Sequence, residues 1–211
     1  MCRLLSVRAH SPFSCETHLR AFAEIARTSK EYQGHGWGLA CRKAGLWESY
    51  HHISPIWEDS LSDFGETTEL LVHARSAFQD EGIVVENNMP FSDEHYVFIF
   101  NGELRGVRIQ EEGRIGAEKI FNYIKRFDKG DMGEALRRGV SVIEKRTRYV
   151  RAMNIIISNG TEQFLATSYN EDPEYFGMWK KEIEGVRIFC SDPYPEEENW
   201  VPIANNTVEV I

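Results

Sequence analysis

Basic residues are scarce in this chain. Twenty-four Lys and Arg stand against 33 Asp and Glu, a net charge of −9 over 211 residues. A nucleic-acid footprint and an anionic membrane surface both need clustered cations, so neither partner is expected. No apolar run approaches the length of a membrane span. Arg3 and Arg8 interrupt the apolar stretch at the N-terminus, so no signal peptide is expected. Cysteines number only four, Cys2, Cys15, Cys41 and Cys190, with no Cys-x-x-Cys pair. That excludes a zinc-ribbon or dithiol signature and fits free thiols in a reducing, cytoplasmic setting. No histidine or acid spacing marks a metal site. The glycines of GHGWG (34–38) are not followed by a helix pattern, so no phosphate loop is present and no cofactor is expected. Repeats and low-complexity tracts are also missing.

What is present reads as one globular domain over residues 1–211, with 42% hydrophobic and 12% aromatic residues. Strand-like runs dominate: 4–7, 36–41, 69–74, 96–100, 153–158, 163–169, 186–191 and 207–211. Helical spacing of apolar residues marks 16–29, 116–128 and 131–145, and predicts a shorter helix over 56–64. Asn159-Gly160 predicts a hairpin turn between two strands. Too few helices separate the strands for a doubly wound parallel sheet. The pattern is that of an α+β layered domain with helices packed on antiparallel sheets.

Four short segments could carry chemistry. Cys2 follows the start methionine, and removal of Met1 would expose its α-amine, with an ordinary pKa of about 7.7–8.0. That amine could take the thiol proton, so nucleophile and base would share one residue. As a residue at the start of a strand, Cys2 equally suits a buried core position. The apolar run YVFIF ends at Asn101-Gly102, which is either a turn or an oxyanion hole made of a side-chain amide and an approachable backbone N–H. In LLVHARSAF (70–78), His73 and Arg75 fall on one face of a strand. An arginine there could clamp a carboxylate bidentately, or lie at a sheet edge with its head in water. In YQGHGWGLA (32–40), glycines around His35 and Trp37 read as a close backbone approach beside a pocket, or as a plain turn.

Taken together and in order, MCRLL, GHGWGLA, HARSA, NNMPF (87–91) and FNGEL resemble the class II glutamine amidotransferase family, which belongs to the N-terminal-nucleophile hydrolases. Stand-alone members beginning MCRLL, among them glutaminase-type domains and γ-glutamyl hydrolases of thiol metabolism, are the nearest in pattern. FCSDPYPEEENWVPI (189–203) also resembles the family's ending. The resemblance implies a four-layer αββα sandwich. It implies that Cys2, freed by loss of Met1, attacks the side-chain amide of glutamine or of a γ-glutamyl compound, forming a thioester. Asn101 and Gly102 would bind the oxyanion. Arg75 would hold the α-carboxylate, with His73, Trp37, Gly38 and Ser76 completing the substrate site. The partners implied are a small-molecule amide and, for a synthase, a separate subunit receiving ammonia, since no synthase domain follows in this chain.

The sequence departs from the family pattern in places. The aspartate expected before the second core helix, partner of the substrate α-ammonium, is Gly116, and the serine after it is Ala117. Glu118 and Glu103 are the nearest acids that could replace it. Phe78, Phe100 and Met89 stand where the family has hydroxyl or histidine side chains, making the expected pocket more apolar. These changes predict an N-terminal cysteine amidohydrolase of altered specificity, for a substrate whose α-amine is blocked or missing. The alternative is a weak or inactive relative that binds a small carboxylate as a sensor or scaffold.

Overall fold

The computed structural model describes residues 1–211, apart from the side chain of Asp80. The chain opens with strand β1 (Arg3–Ser14), helix α1 (Cys15–Thr28) and strands β2 (Trp37–Lys43), β3 (Leu46–His52) and β4 (Glu66–Ala74). The short strand β5 (Phe91–Ser92) and the long β6 (Val97–Val107) precede helices α2 (Gly116–Lys125) and α3 (Met132–Lys145). Strands β7 (Thr147–Ser158) and β8 (Gln163–Tyr169) lead to the single-turn helix α4 (Pro173–Phe176). Strands β9 (Trp179–Ile183), β10 (Val186–Cys190), β11 (Val201–Pro202) and β12 (Thr207–Val210) complete it.

Two antiparallel sheets result. One has seven strands in the order β11-β9-β10-β1-β4-β2-β3, and the other has five in the order β12-β8-β7-β6-β5. Strand periodicity explains the layering, because alternate side chains leave opposite faces. Leu5, Val7, Leu39, Leu70 and Val72 pack with Leu19, Phe22 and Ile25 of α1. Their neighbours Leu4, Ala40 and Leu71 join the core shared with the second sheet. On the far side of that sheet, Phe98 stacks on Phe121 of α2 at 4.7 Å. The architecture is therefore the four-layer αββα sandwich, α1 on one outside and α2–α3 on the other.

The three amphipathic stretches form α1, α2 and α3 within a few residues of the bounds set by their apolar spacing. Asp131 caps α3 by accepting from the Glu134 N–H at 2.9 Å. The Asn159-Gly160 hairpin joins β7 to β8, with the Asn159 side chain accepting from Thr161 and Glu162 N–H groups. The predicted helix over 56–64 is not an α-helix. It is two 3-10 turns, Ile56–Glu58 and Leu61–Phe64, split where the Asp59 side chain accepts from the Ser60 backbone, the Trp37 indole and the Tyr50 hydroxyl. An acid bonding locally to backbone competes with helix continuation in this way.

Candidate active site

Cys2 sits immediately before β1, and the first residues of that strand are held firmly. The Arg3 guanidinium is 3% exposed, donates to the carbonyls of Tyr175 and Ser191, pairs with Asp192 at 3.2 Å and lies over the Tyr175 ring. Ser191 Oγ accepts from Leu4 N–H. The Ser-Asp-Pro segment near the C-terminus is thus a clasp for the N-terminal strand. Arg3 was not among the expected functional residues, although its place between a candidate nucleophile and an apolar strand was a usable signal.

The Cys2 thiol faces the turn after β4. The Ser76 N–H donates to Sγ at 3.4 Å, and Sγ approaches the Ser76 carbonyl at 3.6 Å. Burial pushes the thiol pKa up, while the N-terminal ammonium, the Ser76 N–H and the Arg75 guanidinium oppose that shift. Met1 precedes it in a fitted seat. Its ammonium pairs with Glu31, its carbonyl accepts from Gln33 Nε2 and Tyr175 Oη, and its side chain packs against Ala152, Tyr175 and Phe176.

A cavity of about 860 Å³ opens beside the thiol, and Cys2, His73, Arg75, Ser76 and Gly102 all line it. The GHG loop fixes the Arg75 backbone: its N–H donates to the Gly36 carbonyl, and its carbonyl accepts from His35 N–H. Gly36 adopts φ of 106°, and a Cβ there would lie 2.2 Å from the Asn88 side chain, so only glycine fits. Arg75 is 6% exposed yet has no carboxylate partner among the described residues; it makes long contacts to Asn88 Oδ1 (3.4 Å) and the Glu81 carbonyl (3.5 Å). A buried guanidinium with no acid beside it can take a carboxylate bidentately. His73 is fully buried, and burial first, then Arg75 and His51, lowers its pKa to about 3, so the ring is neutral.

Asn101 lies on β6 opposite Asn154, 1% exposed, and neither side-chain polar atom has a hydrogen-bond partner among the described residues. Asn101, expected in the oxyanion site, is not among the residues that line the cavity, although its neighbours Phe100 and Gly102 are. Gly102 follows on the cavity wall. A Cβ at that position would lie 2.4 Å from the Phe100 ring and 2.5 Å from the Ala152 carbonyl, which explains the glycine.

Trp37 and Gly38, expected beside the substrate, are not in the cavity lining. Trp37 is fully buried in the α1 core and donates to Asp59. The pleat explains its position: Gly38 takes the inner face, and its neighbour must point the other way. Gly38 has a packing role, since a Cβ would lie 2.5 Å from the Met89 carbonyl. Phe78, Met89 and Phe100 line the cavity and give it the apolar character expected of them. Of the acids considered as substitutes at the Gly116 end, Glu118 is outside the lining and held by Arg114. Glu103 lines the cavity but is ion-paired to Arg105 and Arg151.

No family model matches the chain, and no curated protein matches it. Solved structures do. A glutamine aminotransferase class-II domain protein from Silicibacter pomeroyi is 15% identical with a TM-score of 0.70, covering 100% of this chain and 94% of that one. A predicted glutamine amidotransferase from Pseudomonas aeruginosa is 16% identical with a TM-score of 0.62, covering 99% and 96%. The glutamine phosphoribosylpyrophosphate amidotransferase of B. subtilis is 14% identical with a TM-score of 0.63, and this chain spans 42% of its length. The protein has the fold of these class II glutamine amidotransferase structures.

Proposed function

We propose that this single domain is an amidohydrolase in which Cys2, after removal of Met1, cleaves the side-chain amide of a glutamine-like or γ-glutamyl compound. The observation that carries the reading is the juxtaposition of the Cys2 thiol and the buried, acid-free Arg75 in one cavity. Arg75 holds the substrate carboxylate bidentately and so fixes the distance to the scissile carbonyl. The freed α-amine of Cys2 accepts the thiol proton, and Sγ attacks the amide carbon. The oxyanion takes hydrogen bonds from Asn101 Nδ2 and the Gly102 N–H, a role suited to the unpartnered Asn101 amide. The C–N bond then breaks. Ammonia, or an amine from a conjugate, leaves with the proton held by the α-amine. Water attacks the thioester, its oxygen stays on the acyl carbon and the thiol is regenerated. A separate synthase subunit is the natural acceptor if the ammonia is used rather than released. His73, neutral and buried, shapes the wall behind Arg75 and Ser76 borders the nucleophile.

The test is release of ammonia from glutamine and γ-glutamyl amides by protein shown by mass spectrometry to lack Met1, with Cys2→Ala as control. Activity that disappears in the control supports the reading. No turnover of any amide by Met1-free protein overturns it. The close seating of Met1 favours one second reading. If natively expressed protein keeps Met1, the chain is a carboxylate-binding relative and not an enzyme.

A further inference from the structure

We infer that the substrate carries a hydrocarbon arm of medium length, which lies along the second half of β6 while the substrate carboxylate is held at Arg75. This rests on the amide-cleaving reading and narrows its substrate class.

Length is the first reason. Every residue of β6 from Gly102 to Val107 lines the cavity, and Ile109 continues the lining past the strand end. At about 3.3 Å per residue, and allowing for the bulge after Glu103, that stretch is roughly 15 Å long. Glutamine puts only four carbon–carbon bonds between its two carbonyl carbons, about 5 Å when extended at roughly 1.5 Å per bond. The cavity volume of about 860 Å³ agrees, since it lies at the upper end of the roughly 300–1,000 Å³ typical of drug-sized ligands.

The chemistry of the wall is the second reason. Leu104, Ile109 and Ile115 pack on the core yet remain only half-buried, and all three line the cavity. Val107 is half-buried beside them, and Ile120 reaches the same cavity from α2. Phe78, two residues after Ser76, adds a ring that is 67% exposed. The wall shares one cavity with Cys2 and Arg75, so its occupant is part of the molecule that those two residues hold. Each methylene fully buried against such a wall adds up to about 4-fold in affinity.

The polar groups along this stretch do not call for a polar ligand. Arg105 is paired with Glu103, and Arg114 with Glu118, so their charges are answered within the protein. Lys119 is exposed and keeps its head in water. The reacting part is fixed at its carboxylate and its scissile carbonyl. The arm therefore hangs from one of two nitrogens, the α-nitrogen or the amide nitrogen that departs.

The experiment uses two series. One is glutamine N-acylated with acetyl, butanoyl and octanoyl groups. The other is the γ-glutamyl amides of methylamine, butylamine and octylamine. Release of ammonia or of the amine is measured with Met1-free protein, and binding of all six compounds by calorimetry with Cys2→Ala. In one series kcat/KM and affinity should both rise with length, at least about 10-fold from shortest to longest, and that series identifies the nitrogen that bears the arm. Leu104→Asn should flatten the rise several-fold. Val107→Asn, at the strand end, makes the same test if Leu104→Asn does not fold. A rise that both variants leave intact is nonspecific adsorption and overturns the inference. If neither measure improves with length in either series while the short amides are turned over, the inference falls and the amide-cleaving reading stands. If affinity rises with length but no amide is turned over, the arm site holds and the amide-cleaving reading falls. If none of the six binds or turns over, both fall.

Discussion

Two buried arginines in the first layer do opposite jobs. Arg3 is saturated: two carbonyls and Asp192 take its donors, and Tyr175 covers its face. Arg75 is unsaturated, with two long contacts and no acid among the described residues. Removing Arg3 strands two carbonyl groups, so Arg3→Ala should lower the unfolding free energy by about 2–6 kcal/mol, at roughly 1–3 kcal/mol per orphaned group. Arg75→Met removes a desolvated charge held by two long contacts alone among the described residues, so stability should hold or rise. Activity should fall on the order of 10²–10³-fold in kcat/KM, because losing one partner of a buried charge pair costs about 2–5 kcal/mol. A loss of stability in Arg75→Met equal to that in Arg3→Ala would mean that Arg75 is structural. Much at this scale was legible in the sequence. Cys2, Arg75 and Gly102 announce themselves because each is a residue type out of place for a plain strand, and the structure brings them to one cavity. Trp37 misled because a large aromatic among glycines suggests a pocket wall. Its face was decided by pleat parity with Gly38, and Asp59 completes its hydrogen bond from a loop no pattern could place.

Helix α2 brings the Gly116 end to the cavity, and its seat depends on a close approach to α3. A Cβ at Gly139 would lie 2.8 Å from the Ile124 side chain and 3.2 Å from its Cα. Both helices therefore cross where a glycine lets the backbones near each other. Gly139→Ala would gain about 1 kcal/mol of helix propensity. Against this stands an overpacking cost of about 1–3 kcal/mol, because Ile124 is fully buried and cannot swing away. The net expectation is a loss of up to about 2 kcal/mol in the urea midpoint, together with a raised KM as α2 shifts. A gain in stability would show that the two helices part without strain. Element by element, the long apolar stripes were readable because each helix buries one face only. Strands β3 and β9 were not, since Leu46, Glu48 and Ser49 on one, and Lys180, Glu182 and Ile183 on the other, are exposed or charged. Such strands near a sheet edge gain their order from the neighbour they pair with, β2 or β10, and not from their own periodicity.

At the scale of the whole molecule, two histidines are buried, one between the sheets and one on the outer helix α1. His73 lies on the inner face of β4, and His18 of α1 bonds Tyr194 at 3.0 Å. Burial is the leading cause that lowers their pKa values, to about 3 and about 4. Both rings are neutral in the folded protein, while in the unfolded chain each takes up a proton near its ordinary value of 6.5. The unfolded state therefore binds more protons between about pH 6.5 and the folded values, so stability must fall as pH drops through that window. By pH 5 each histidine should have cost about 2 kcal/mol, at 1.36 kcal/mol per pH unit. Denaturant midpoints between pH 7.5 and 5 should show this slope, and His73→Gln should remove about half of it. The same variant should leave the pH dependence of turnover in place, because the proposed reaction uses the Cys2 α-amine as proton acceptor, a group whose ordinary value is about 7.7–8.0. A turnover profile that loses its limb in His73→Gln would transfer the base from the N-terminus to the strand.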